Sequence, residues 1–147
     1  MSGYGKDCYD GFVATVGAHL EVAGLAGSAR EGAEIARLGH VEELEKHFSV
    51  DEADRDVAAL RCAATIAEVM SGFNDFAADV GTNLANMGHA NAWHEAEAVA
   101  RGRYLDDLVK WFGGWRRFGR ERCASVCAKV IGRDLRKLYA ATNYPRM

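Results

Sequence analysis

The sequence predicts an all-α protein. Apolar residues recur at three-to-four-residue spacing through most of the chain, the lone proline is Pro145, and no run alternates apolar and polar residues for long enough to make a strand. At 147 residues and 49% hydrophobic content the chain is the size of one domain with a closed core. The expected architecture is a single domain over residues 1–147, a bundle of six to eight helices around a central buried one.

Tyr9, Phe12, Val13, Val16 and Leu20 form one stripe of a first helix, which ends in the glycine-rich turn from Ala23 to Gly27. Ser28 followed by Glu31 has the form of a capping box and opens a second helix to about His47, with Ile35, Leu38, Val41, Leu44 and Phe48 on its apolar side. Ser49 and Glu52 repeat the capping pattern ahead of Val57, Leu60, Ala64, Ala67 and Met70, a third helix that runs to Gly72 and Phe73. Asn74 and Asp75 suggest a turn. Beyond it, Val80 to Trp93 carries no acidic or basic residue except histidine and reads as the most buried helix.

The pattern continues through Val99, Leu105, Leu108 and Phe112 to Gly113 and Gly114, two flexible residues that should end a helix. The last helix is expected from about Arg116 to Tyr139, with Cys123, Cys127, Val130, Ile131, Leu135 and Leu138 inward and arginines outward. No internal repeat is visible in the sequence.

Charge is unevenly distributed. Residues 1–102 hold 7 Lys/Arg against 17 Asp/Glu, and residues 103–147 hold 11 against 4. Such asymmetry fits two faces that attract within the fold or between the subunits of a homodimer. The first thirty residues lack the pattern of a secretion signal and no apolar run reaches the length of a membrane span, so the expectation is a cytoplasmic protein without a membrane anchor. The four cysteines are then expected as reduced core thiols.

Catalytic and metal chemistry find no support in the spacing. His89 and His94 are five residues apart, which turns their rings about 140° away from each other on a helix. No glutamate sits three residues before a histidine, and no histidine pair has the position and separation of a haem pocket. Nucleophile elbows and phosphate-cradling glycine loops are absent. The expectation is a protein that is not an enzyme and uses no metal or cofactor.

At Leu108-Val109-Lys110-Trp111-Phe112-Gly113-Gly114-Trp115 the chain resembles the second homology motif of the Bcl-2 family of apoptosis regulators, where a helix ends in Gly-Gly-Trp. Val69-Met70 to Phe73 with Asp79-Val80-Gly81-Thr82 resembles the first motif, with Val80 in place of its tryptophan and Thr82 in place of its arginine. Ile35-Ala36-Arg37-Leu38-Gly39-His40 resembles the third, with His40 in place of its aspartate.

The resemblance implies a Bcl-2-like bundle of the compact, tail-less, virus-encoded type, an inhibitor of apoptosis in the host cytoplasm. Its partners would be pro-apoptotic family proteins, whose amphipathic death-motif helix lies in a hydrophobic groove. By position the groove would be lined by Val41, Leu44, Phe48, Leu60, Val69, Phe73, Gly81, Thr82 and Ala85. Gly81 is expected where another backbone comes close, a partner helix being one candidate. Thr82 cannot supply the family's ligand-pairing charge, which leaves Arg61 or Arg55 to do so, or a narrow set of ligands.

A competing reading uses Arg116, Arg117, Arg120, Arg122, Lys129, Arg133, Arg136 and Lys137 of the last helix to bind nucleic acid or an anionic surface. The net charge of −3 weighs against it, so nucleic acid is not among the expected partners. A third reading is a helical structural subunit that assembles head to tail.

Overall fold

The computed structural model describes residues 2–49 and 54–143, without the side chains of 2–7, 115–116 and 141–143. Among the described residues every regular element is helical: α1 (Ser2–Val22), α2 (Ala29–Gly39), α3 (Val41–Phe48), α4 (Arg55–Val69), α5 (Phe73–Asn86), α6 (Trp93–Arg103), α7 (Leu105–Gly113), α8 (Trp115–Phe118) and α9 (Arg120–Asn143). The all-α class is as predicted. The helices fall into two compact units, residues 1–71 and 72–147.

In the first unit α1 packs on α2, α3 and α4, burying Phe12, Val13, Val16 and Leu20. Gly17 lets α1 and α2 meet backbone to backbone, because a Cβ there would collide with the Ala29 carbonyl and the Ala33 amide. The chain leaves α1 through Gly24 at φ 82°, and the Leu25 N–H closes the turn on the Leu20 carbonyl at 3.1 Å. The capping box at α2 forms as predicted. Ser28 Oγ accepts from the Glu31 N–H at 3.1 Å, while Glu31 Oε1 accepts from the Gly27 N–H at 3.1 Å.

Several boundaries and faces differ from the sequence expectation. The predicted second helix breaks at His40, which leaves helical geometry at φ −139° and ψ 35°, so Leu38 and Val41 flank an elbow and lie exposed. Ser49 closes α3, its hydroxyl donating to the Lys46 carbonyl, and does not open the next helix; Glu52 lies outside the described residues. Helix α4 is rotated from the expected face. It buries Ala58, Ala59, Cys62, Ala63, Ile66 and Met70, and turns Val57, Leu60 and Ala64 outward. Small residues win the inner face because they let α4 lie close against α1 and α3.

In the second unit α5 packs on α6, α7 and α9. It starts at Phe73, places Asn74 and Asp75 in its first turn, and stops at Asn86, so the expected continuous helix from Val80 to Trp93 is interrupted at Gly88, φ 86°. Trp93 opens α6 and is exposed. Gly113 and Gly114 end α7 as predicted, and α9 begins at Arg120 after Gly119, φ 94°.

The two units repeat one design, which corrects the expectation of no internal repeat. Residues 9–48 match residues 73–112 without a gap, a shift of 64, and thirteen of the forty positions are identical, among them Phe12/Phe76, Gly17/Gly81, Leu20/Leu84, Gly24/Gly88, Arg37/Arg101, Leu44/Leu108 and Phe48/Phe112. After one inserted residue, α4 matches α9 at a shift of 65, through Arg55/Arg120, Ala59/Ala124, Cys62/Cys127, Ala63/Ala128 and Ile66/Ile131.

The contacts repeat with the residues. Tyr9 and Phe12 meet Phe48 edge-on at 5.1 and 5.5 Å, as Phe73 and Phe76 meet Phe112 at 5.5 and 5.7 Å. Each such ring pair is worth about 0.5–1.5 kcal/mol beyond its buried area. Arg37 reaches Asp10 at 3.0 Å, and Arg101 reaches Asn74 at 2.6 Å. A Cβ on Gly81 would meet the Trp93 carbonyl at 2.5 Å and the Glu97 amide at 3.0 Å, the counterparts of the atoms facing Gly17.

Candidate functional site

A duplicated fold contains its own control. What both units share is required by the architecture, and an exposed difference at matched positions has another origin.

The nine residues expected to line a groove are dispersed by this test. In the first unit Leu44 is fully buried, Phe48 is half-buried under Tyr9 and Phe12, and Val41, Leu60 and Val69 are exposed. In the second, Phe73 is fully buried on Phe112, Ala85 is half-buried, and Thr82 is exposed with its hydroxyl donating to the Ala78 carbonyl at 3.0 Å. Gly81 does admit a close backbone, but that backbone is the chain's own α6, and no room remains there for a partner helix. Leu44, Phe73 and Phe48 have the counterparts Leu108, Tyr9 and Phe112, so these positions serve the fold. Arg55 lies over the Phe48 ring at 4.5 Å, while Arg61 is exposed on α4. In the Gly-Gly-Trp motif the glycines end α7, and the Trp115 side chain lies outside the described residues.

Helix α9 provides the clearest difference between the units. Its buried side, Cys123, Ala124, Cys127, Ala128, Ile131 and Leu135, matches that of α4 residue by residue. Its outer side does not. Arg122, Lys129 and Arg133 are exposed there, at positions where α4 has Val57, Ala64 and Glu68, and the exposed Arg136 and Lys137 match Ser71 and Gly72, beyond the end of α4. At 1.5 Å per residue the row from Arg122 to Arg136 is about 21 Å long. Among the described residues none of these five cations forms an ion pair. Arg120, just before the row, is different: it is tied to Asp79 at 2.7 Å. By unit, residues 1–71 hold 6 Lys/Arg against 13 Asp/Glu, and residues 72–147 hold 12 against 8.

The row borders a cleft of about 460 Å³ where α9 meets the α6–α7 elbow, lined by Arg103, Tyr104, Asp106, Asp107, Arg133, Asp134 and Lys137. The Tyr104 hydroxyl donates to Asp134 at 2.5 Å, and burial together with that bond pushes its pKa up to about 12. Burial, with Asp106 beside it, also raises Asp107. Asp106 and Asp107 match Glu42 and Glu43, acidic residues in the first turn of a helix, where the macrodipole favours them. The cations do not recur: Arg103, Arg133 and Lys137 correspond to Gly39, Glu68 and Gly72.

Two of the buried thiols are held protonated. Burial pushes Cys62 up to about 11 and Cys127 up to about 12, which keeps both as inert thiols at neutral pH. Among the described residues no group of three His, Cys, Asp or Glu side chains could hold a metal ion, and no helix is long and apolar enough to cross a membrane. The sequence placed the cations of α9 outward, and the fold aligns five of them along one line that α4 does not repeat. No protein-family model matches the chain, and neither a curated protein nor a solved structure matches it.

Proposed function

We propose that the protein acts by binding, without catalysis, and that its working surface is the outer face of α9, which takes the phosphate backbone of a single-stranded nucleic acid. One observation carries this reading: five exposed cations without ion-pair partners lie on the outer face of α9, where the matched helix α4 carries the single cation Arg61 and has Val57, Ala64 and Glu68 in place of Arg122, Lys129 and Arg133. A line of fixed cations displaces the counterions of a polyanion, and this supplies most of the affinity of such complexes. Phe118 before the helix and Tyr139 toward its end are 56% and 53% exposed, with Arg117 over the Phe118 ring at 5.4 Å, and aromatic rings beside cations are the combination that single-strand sites use.

Heparin chromatography is the first test. Retention above about 0.15 M salt, reduced by Lys129→Glu with Arg133→Glu, supports the reading, and flow-through of the unaltered protein removes it.

A second reading keeps the resemblance to apoptosis inhibitors: sequestration of a pro-apoptotic protein's death-motif helix in the cytoplasm. Its support is that Val41, Leu60 and Val69 remain exposed and apolar. Calorimetric titration with death-motif peptides tests it, with binding lost in Leu60→Glu as the expected result. Uniform absence of binding would discard it.

A further inference from the structure

The outer face of α4 presents the converse of the α9 row. Val57 and Leu60 are 50% and 54% exposed, with Ala64 exposed one turn further on. The second unit carries Arg122, Ser125 and Lys129 at these positions, so the fold does not require apolar groups there. Two charges flank the patch, Arg61 and Glu68. Both are exposed, and among the described residues neither forms an ion pair.

The spacing of these charges identifies the occupant. Arg61 lies three residues before Ala64 and Glu68 four residues after it, all within one stripe of the helix. When two copies of α4 run antiparallel about a twofold axis beside Ala64, each Arg61 stands opposite Glu68 of the other copy. Ala64, small and central, lets the helices approach closely, and Leu60 loses solvent at both ends of the contact. A twofold contact of this kind requires a self-complementary surface, and the α4 face is self-complementary in charge.

We infer that the outer face of α4, Leu60, Arg61, Ala64 and Glu68, is the interface through which two copies of this chain form an antiparallel, twofold homodimer. This is independent of the reading of α9. The dimer presents two cationic rows, and its formation does not depend on whether they bind a strand.

Sedimentation equilibrium of the full chain tests the proposal. The unaltered protein is expected at twice the 16.0 kDa chain mass. Ala64→Lys places on α4 the residue that α9 carries at the matched position, so the fold tolerates it, and it is expected to give a monomer with an unchanged helical circular dichroism spectrum. Arg61→Glu and Glu68→Arg are each expected to weaken the dimer at least tenfold, and the two together to restore it. A monomeric unaltered chain at tens of micromolar overturns the proposal and leaves the face to another occupant, such as an amphipathic helix. A dimer that survives Ala64→Lys, or whose two charge reversals show no mutual rescue, places the interface elsewhere.

Discussion

Two glycines in α1 should respond with opposite signs to the same substitution. Gly11 has no atom within 4 Å of where a Cβ would stand, so Gly11→Ala should do no more than remove the entropic cost of glycine in a helix. That is a stabilisation of about 0.5–1 kcal/mol. Gly17, six residues further along, faces the Ala29 carbonyl and, at 2.6 Å, the Ala33 amide nitrogen. These are backbone atoms of α2 and cannot swing aside as a side chain would. The methyl must push α2 away by about an ångström, and overpacking of this kind typically costs about 1–3 kcal/mol. After subtracting the helix gain, the net effect is a loss of up to about 2.5 kcal/mol, centred near 1 kcal/mol. In a unit of this size each kcal/mol moves the melting temperature by about 4–8 °C. Thermal and urea unfolding followed by circular dichroism should place Gly11→Ala above, and Gly17→Ala below, the unaltered protein. The same contact recurs at Gly81, so Gly81→Ala should destabilise similarly. If Gly17→Ala instead stabilises the protein as Gly11→Ala does, α1 and α2 are not in backbone contact and the reasoning fails.

Three further predictions follow from the polar positions at the elbows and from the buried thiols. Removing the Tyr104 hydroxyl in Tyr104→Phe loses its bond to Asp134 and should cost about 1 kcal/mol in urea unfolding, because the carboxylate is exposed and can be rehydrated. His40, the counterpart of Tyr104, is shifted below its ordinary value of 6.5 by burial, which Glu43 opposes only in part. Folding therefore holds His40 less protonated than the unfolded chain does, so its contribution is full above about pH 6.5 and is lost as pH falls further; His40→Tyr should flatten this acid limb of the stability profile. Brief alkylation at pH 8 should label Cys8, which is half-buried, and spare Cys62, Cys123 and Cys127 until the protein is unfolded, as read by intact mass.

Much of the fold was legible in the sequence, because helical periodicity survives where the core is built of large residues. Tyr9, Phe12, Val16, Leu20, Leu44, Leu108 and Phe112 mark their helices by size alone. The reading failed on α4, where Val57, Leu60 and Ala64 have the same period as the true buried face, Ala58, Ala59, Cys62, Ala63 and Ile66. Larger apolar groups outweighed smaller ones in the pattern, although close helix packing favours the smaller. The same bias concealed the repeat: seven of its thirteen identities are glycine, alanine or phenylalanine, spread thinly over forty positions, and only matched contacts make them conspicuous. The groove expected from the resemblance placed Leu44, Phe73 and Gly81 at a surface, because an apolar or glycine residue carries no mark that separates a core position from a binding one. The cations of α9 were legible individually. Their alignment on one unpaired face required the helix and its duplicate.

The proposed phosphate-binding role of the outer face of α9 is tested by the salt dependence of strand binding. Fluorescence anisotropy of a labelled single strand would be titrated with the protein across a range of salt concentrations, for the unaltered chain and for Lys129→Glu with Arg133→Glu. Five cations in contact predict that log K falls against log salt with a slope of about −3.5, at roughly −0.7 per phosphate for single strands. The altered protein should show a slope about three fifths as steep, or shallower. A salt-independent affinity, or a slope unchanged by the two substitutions, would contradict the account.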